Sequence, residues 1–275
     1  MSNLEEKLEY LFDNPNSKDF TEDLAFEFLD GLNNGSIRAA ANINGEWVVN
    51  SWVKKGILVL FRNSHIVDMS INDHFKFYDK NLLYLKDISI NDSIRVVPGG
   101  SSIRNGAYVG NNVVCMPPMY INIGAYIDDN SMIDSHALVG TCAQVGKNVH
   151  ISAAAQVGGV LEPAGARPVI IEDNVMIGGN CGVYEGVMLR KRVVLGSGVI
   201  LTASTKVYDL VNQQIITNEA SKPLEIPENA VVVAGSRSIN SEFGKENGLS
   251  IYTPIIIKYR DDKTDAKTAL NFDLR

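Results

Sequence analysis

Aliphatic residues recur at every sixth position through the middle of the chain. Stepping from Val97 gives Val97, Ile103, Val109, Cys115, Ile121, Ile127, Ile133, Val139, Val145, Ile151 and Val157. After a jump of fourteen the series resumes at Ile171, Ile177, Val183, Leu189, Leu195, Leu201 and Val207. Seventeen of these eighteen positions are aliphatic, and the exception, Cys115, is also small and apolar. A second column lies four residues further on, with Ala107, Val113, Met119, Ala125, Ser131, Ala137, Ala143, Val149 and Ala155, then Val175, Cys181, Val187, Val193 and Val199. A β-sandwich with short alternating strands has no reason to hold one phase over so many units, so the repeat itself is the fold signal.

The pattern predicts a triangular prism. Each six-residue unit is one short strand and one turn, and three units make an eighteen-residue coil. The aliphatic residue points inward and stacks on the one eighteen positions away, about 4.8 Å along the axis. Glycine follows the aliphatic residue at Gly110, Gly140, Gly146, Gly158, Gly178 and Gly196, with asparagine just beyond at Asn111, Asn112 and Asn148. These residue types are expected at positive-φ turns. Eighteen units give six coils, a prism about 29 Å long.

The flanks read differently. Leu4 to Phe12 and Thr21 to Leu32 have helical apolar spacing, Asn44-Gly45 sits at a hairpin turn within Ala39 to Asn50, and Ser51 is placed to cap a helix over Trp52 to Phe61. Ala230 to Ala234 and Ile251 to Tyr259 read as strands, the second confined to an edge by Pro254. The expected organisation is an α-rich domain with a hairpin over 1–94, the repeat over 95–210 and a β segment over 211–275 capping the open end of the prism. The interruption at 158–170, with two prolines and a glycine, reads as a loop thrown out from one corner, either a substrate lid or a plain insertion.

Composition narrows the classes. The chain has 275 residues and a formal charge of −7, which disfavours the broad basic surface that nucleic acid requires. It contains no apolar run long enough to span a membrane, and its acidic start lacks a signal-peptide pattern. Cys115, Cys142 and Cys181 fit no zinc spacing, and an odd number of thiols without an export signal reads as reduced, buried and cytoplasmic. No metal site is expected.

Specific motifs lie between the aliphatic columns. They are Arg95-Val96-Val97-Pro98, Asn122-Ile123-Gly124-Ala125-Tyr126, Met132-Ile133-Asp134 and the run Val139 to His150. Further on come Gly158-Gly159-Val160-Leu161-Glu162-Pro163, Ile170-Ile171-Glu172-Asp173-Asn174 and Ser204-Thr205-Lys206-Val207-Tyr208-Asp209. Together they closely resemble the tetrahydrodipicolinate N-succinyltransferase family. The resemblance runs from the Trp47 region through most of the C-terminal segment and is weak over the first forty residues.

That resemblance implies a left-handed parallel β-helix, with the handedness coming from the family and not from the spacing. It also implies transfer of succinyl from succinyl-CoA to the amine of a ring-opened dicarboxylate in lysine and diaminopimelate synthesis. Succinyl-CoA is then a co-substrate, no cofactor is bound permanently, and homotrimers carry active sites between neighbouring prisms. Matched motif by motif, Arg95 and Asp134 are implied substrate-binding positions, and Asp134 is also a candidate general base. A guanidinium grips a carboxylate through two hydrogen bonds, and a carboxylate can take the proton an attacking amine sheds. Backbone N–H groups at a coil turn are candidates for meeting the oxyanion. For Asp134 the alternative is a turn aspartate bonding its own backbone.

Secondary candidates are Arg104 and Arg167 for the substrate, and Lys206, Gly196 and Gly198 for the CoA arm. Arg190, Lys191 and Arg192 are further phosphate candidates or a solvated charged face. The chain departs from the family pattern at two places: Gly182 stands where many members carry the first of two glutamates, the second matching Glu185, and His136 stands where tryptophan is frequent. His136 and Glu185 are therefore weaker catalytic candidates, while His150 carries no implied role and reads as structural. An acetyl-CoA-dependent transferase on the same or a related acceptor is the nearest alternative. A γ-type carbonic anhydrase or a non-catalytic β-helix stands further off.

Overall fold

The computed structural model describes residues 3–219 and 222–268. The parts of the expected C-terminal segment at 220–221 and 269–275 lie outside the described residues. The repeat winds into a left-handed β-helix with three parallel sheets, one for each face of the prism. The first face stacks Tyr108–Val109, Tyr126–Ile127, Gln144–Val145, Ile170–Ile171, Met188–Leu189 and Glu225–Ile226. The second contains Val114–Cys115, Met132–Ile133, His150–Ile151, Met176–Ile177 and Val194–Leu195. The third contains Ser102–Ile103, Tyr120–Ile121, Leu138–Val139, Gln156–Val157, Gly182–Val183 and Ile200–Leu201.

Both aliphatic columns fill the prism, and nearly every member is at most a few per cent exposed. Ser131, the polar member of the second column, is buried at no cost in unmade bonds. Its hydroxyl donates to Gly146 O at 2.9 Å and accepts from Val149 N at 3.0 Å. Asparagine takes the left-handed turn between the first and second faces at Asn112, Asn130, Asn148, Asn174 and Asn229. The glycines that directly follow the aliphatic column serve another purpose, because they are absent from the positive-φ turns. A Cβ on Gly140 would lie 2.1 Å from Gly159 N, so it is close backbone approach between coils that demands glycine there.

Two ends of the repeat differ from the simple period. Val96, not Val97, is the strand residue opposite Cys115, since the first coil holds one extra residue before Ile103. Val96 is 40% exposed and Ile94 packs against the core instead. At the far end the place above Leu189 is filled by Ile226, and Val207 pairs with Ile216 in an antiparallel strand. Val207 is still fully buried in the same cluster. The sixth coil is completed by Val231–Val232 above Val194–Leu195. The chain leaves the prism between 202 and 224 and returns to finish it.

The strand Ser250–Tyr259 is not at an edge. It pairs antiparallel with Ala230–Ser238 and, at Ile255–Ile256, parallel with Tyr208–Asp209. Pro254 falls just before the doubly paired stretch, and the outer edge is Gln214–Ile216. The last strand of the third face is covered by Tyr252, whose hydroxyl accepts from Ile200 N at 2.7 Å and donates to Ile200 O at 3.1 Å. This blunts a pairing edge.

The N-terminal helices are α1 (Asn3–Asp13), α2 (Glu22–Asn33, capped by Thr21) and α3 (Ser51–Arg62). Ser51 is the first residue of α3, not its cap; Asn50 holds the cap position, where its side chain makes no capping bond and instead donates to Arg38 O. Leu8, Phe28, Val53, Ile57 and Leu60 form the helical core, into which Ile123 and Cys142 project from the corner between the third and first faces. The hairpin Ala40–Ile43/Glu46–Val49 covers the first face, where Ala40, Trp47 and Val49 pack on Ile170 and Met188. The outward residues of the second and third faces join no buried cluster. The N-terminal segments therefore leave free the corner where those two faces meet.

Ile133 is fully buried between Cys115 and Ile151. Ile133→Ala is expected to cost about 2–5 kcal/mol, read from denaturant unfolding at fixed protein concentration.

Candidate functional site

Asp134 follows its strand directly and lies on the free corner. The eighteen-residue period stacks the corner as two columns: Met116, Asp134, Ser152, Gly178 and Gly196, and beside it Pro118, His136, Ala154, Asn180 and Gly198. The second column turns left-handed at His136, Ala154, Asn180 and Gly198. Gly196 and Gly198 thus share the corner with Asp134 and His136, several coils along the axis.

Asp134 divides its two oxygens between two jobs. Oδ1 accepts from Ser135 N at 2.7 Å, the local turn bond. Oδ2 faces His150 Nε2 at 3.8 Å, with the two side chains 31% and 23% exposed. The turn reading and the chemical reading of this residue are therefore compatible. His150, whose place in the sequence implies only a structural part, sits one coil up beside Met132. The period alone carries that signal, because residue 150 stacks on residue 132, two positions before the aspartate.

His136 is exposed and its N–H donates to Pro118 O. It lines a shallow pocket of about 330 Å³ with Ser102, Tyr120, Leu138 and Gln156 on the third face. Arg95 lies on the second face opposite Val114, two coils below Met132 and on the strand leading toward the same corner. Asp134, His136, His150 and Arg95 are therefore gathered on one side of the prism.

Other candidates are held elsewhere. Glu185 turns left-handed at the corner between the third and first faces, and its Oε2 accepts from Ala203 N at 3.0 Å. Within one chain it does not meet Asp134. Arg104 is ion-paired with Asp79. Arg167 donates to Trp47 O at 3.2 Å and lies against Gly186, next to Glu185. Lys206 is exposed, and its carbonyl accepts from Thr253 Oγ1. Arg190 is paired with Glu172 and Glu225, and Arg192 with Asp265, which commits both guanidinium groups within the chain.

A larger cavity, about 780 Å³, lies between the hairpin and the first face. Its wall is knitted together by Trp47 Nε1 donating to Glu172 and by Arg38, which stacks 3.5 Å over the Tyr126 ring and donates to Gln144. Burial holds the Arg38 pKa below its ordinary value. The three cysteines are buried, and burial pushes Cys115 and Cys142 up to about 12, which leaves neither as a nucleophile. Among the described residues no group of three His, Cys, Asp or Glu side chains could hold a metal ion, and no helix is long and apolar enough to cross a membrane.

The extruded loop at 158–170 is tied to the N-terminal helices of its own chain. Leu161 packs against the helical core. Lys54, only 1% exposed, donates through Nζ to Ala166 O, and burial lowers its pKa. The loop is anchored, not hinged freely over the Asp134 corner.

Fold and site together define a hexapeptide-repeat transferase of the left-handed β-helix class. Two family models match the chain: residues 3–62 fit the tetrahydrodipicolinate N-succinyltransferase N-terminal region, and residues 168–203 fit the hexapeptide repeat of succinyl-transferase. A 2,3,4,5-tetrahydropyridine-2,6-dicarboxylate N-succinyltransferase from Legionella pneumophila (strain Corby) is 47% identical over 255 residues, 90% of this chain and 87% of that protein. The proteins of the same name from Paraburkholderia phymatum and Acinetobacter baylyi are 43% and 40% identical, each over 90% of this chain and covering 86% and 88% of their own length. The chain belongs to the tetrahydrodipicolinate N-succinyltransferase family. The match at residues 3–62 lies mostly within the first forty, where the motifs alone are weak.

Lys54→Met is expected to release the 158–170 loop while the prism stays folded. Limited proteolysis read by mass spectrometry should then find faster cleavage within that segment than in the unaltered protein.

Proposed function

We propose that this protein transfers succinyl from succinyl-CoA to the amine of ring-opened tetrahydrodipicolinate, a step of lysine and diaminopimelate synthesis. Membership of the family supports the reaction, and the names of its relatives support the donor and acceptor. The observation that carries the site is the half-open Asp134 carboxylate on the free corner, with one oxygen spent on the turn and the other turned toward His150.

In this reading Asp134 takes the proton as the amine adds to the thioester carbonyl, and the C–S bond then breaks to release CoA thiolate. His150 holds the carboxylate in position. Backbone N–H groups at the corner meet the oxyanion, and Arg95 grips an acceptor carboxylate. The CoA arm runs past Gly196 and the open Gly198 position toward Lys206. His136 is the rival base, and Glu185 with Arg167 belongs to a second corner that a neighbouring prism brings alongside the first.

The apolar residues exposed on the second and third faces support a homotrimer with sites between subunits. The outward stripes are Met132, Met176 and Val194 on one face and Tyr120, Leu138 and Ile200 on the other, all partly or well exposed in the single chain. In the proposed division, residues 1–94 anchor the loop, 95–210 supply the site and 211–275 close the prism. A cytoplasmic location fits the substrates.

Thiol release should proceed with succinyl-CoA and the dicarboxylate acceptor and be much slower with acetyl-CoA; a preference for acetyl-CoA would overturn the donor assignment. Asp134→Asn is expected to keep the assembly and lose about 10²–10⁴-fold in kcat. Near-normal turnover in that variant would move the base to His136.

A further inference from the structure

Tyr184 lies on the third face and takes no part in the roles above. Gly182 occupies an outward position whose stacked counterparts are Ser102, Tyr120, Leu138, Gln156 and Ile200. A Cβ on Gly182 would lie 2.3 Å from Tyr184 Cε2 and 2.8 Å from both its Cζ and its hydroxyl oxygen. One coil below the tyrosine, a Cβ on Gly158 would lie 2.7 Å from Tyr184 Cδ1. The ring thus lies flat on the backbone of two glycines. It points back along its own strand, hydroxyl end foremost, toward the corner that holds Asn180 and Gly198.

Packing accounts for the ring but not for the hydroxyl. Tyr184 is outside the prism and belongs to no buried cluster. Among the described residues its hydroxyl makes no hydrogen bond within the chain, in contrast to Tyr252 and Tyr259, whose hydroxyls bond Ile200 and Asp209. The group it points toward is a stretch of bare corner. A Cβ on Gly198 would meet nothing within 4 Å, which leaves room for an extended chain against the backbone.

We propose that Tyr184 contacts the acyl donor, its hydroxyl donating a hydrogen bond to the free carboxylate of the succinyl chain. This rests on the succinyl-transfer reading given above. A neutral phenol is a donor suited to a carboxylate, and it recognises a feature that CoA itself lacks. Gly182 is part of the device: any side chain there would occupy the space in which the ring lies.

The test uses the full-length protein. Tyr184→Phe keeps the ring and removes the hydroxyl. Its kcat/KM for succinyl-CoA should fall about 10- to 100-fold, while inhibition by CoA, which carries no acyl chain, keeps its wild-type constant. Gly182→Ala should displace the ring and produce a similar loss, and adding it to Tyr184→Phe should bring little further loss, because both changes remove one contact. Should Gly182→Ala lower the melting temperature, Tyr184→Phe carries the test alone. An unchanged kcat/KM in Tyr184→Phe, or equal weakening of succinyl-CoA and CoA, overturns the assignment. A wild-type protein that transfers no succinyl group to the dicarboxylate would overturn the function reading first, and with it this contact.

Discussion

Every part of this molecule depends on one ladder of backbone hydrogen bonds between residues one coil apart. Tyr126 N donates to Ala143 O, Met132 N to Val149 O and Leu138 N to Ala155 O, one on each face of a coil. A ladder of this kind tolerates no drift, since a shift of one residue would turn every inward aliphatic side chain outward. It also fixes where chemistry can sit. Inward positions are spent on the core, outward positions are covered or open according to what docks on each face, and only the turns can carry reactive groups close to the backbone.

The docking of the N-terminal helices and hairpin then breaks the symmetry of the prism. The helices close one corner through Ile123 and Cys142, and the hairpin closes the first face through Trp47 and Ala40. The corner between the second and third faces, which they leave open, holds Asp134 and His136, and the covering segments also clamp the extruded loop through Lys54 and Trp47. A single N-terminal module therefore decides which corner is closed and where Arg167 is held. This links a helix of the first sixty residues to the neighbourhood of Glu185, more than a hundred positions away.

Much of this was legible in the sequence because it is periodic. The inward column, the buried second column, the three N-terminal helices and the Asn44-Gly45 hairpin follow from spacing and turn chemistry. The errors fall where period gives way to tertiary context. Val97 fails because the first coil carries an extra residue among Pro98, Gly99, Gly100 and Ser101, which a six-residue step cannot sense. Val207 stays buried in the core but does not stack on Leu189, because the chain departs for a local sheet and Ile226 takes that place. Pro254 reads as an edge signal, yet its strand gains a second neighbour that comes from Tyr208–Asp209 and so is invisible locally.

The site divides along the same line. Asp134, His136, Gly196 and Gly198 share a corner because their positions within the repeat agree, and His150 could have been added by the same arithmetic. The pairing of Arg104 with Asp79, of Arg190 with Glu172 and Glu225, and of Arg167 with Trp47 could not, because each depends on how a separate segment docks. Nor does any period reveal that Tyr184 folds back over Gly182. That arrangement needs two absent side chains, at positions 158 and 182, and one present ring, so its meaning resides in the combination and not in any residue read alone. A repeat this strict leaves few places where a glycine is optional on the outward side, and a glycine that makes room for a hydroxyl is a departure the ladder itself does not require.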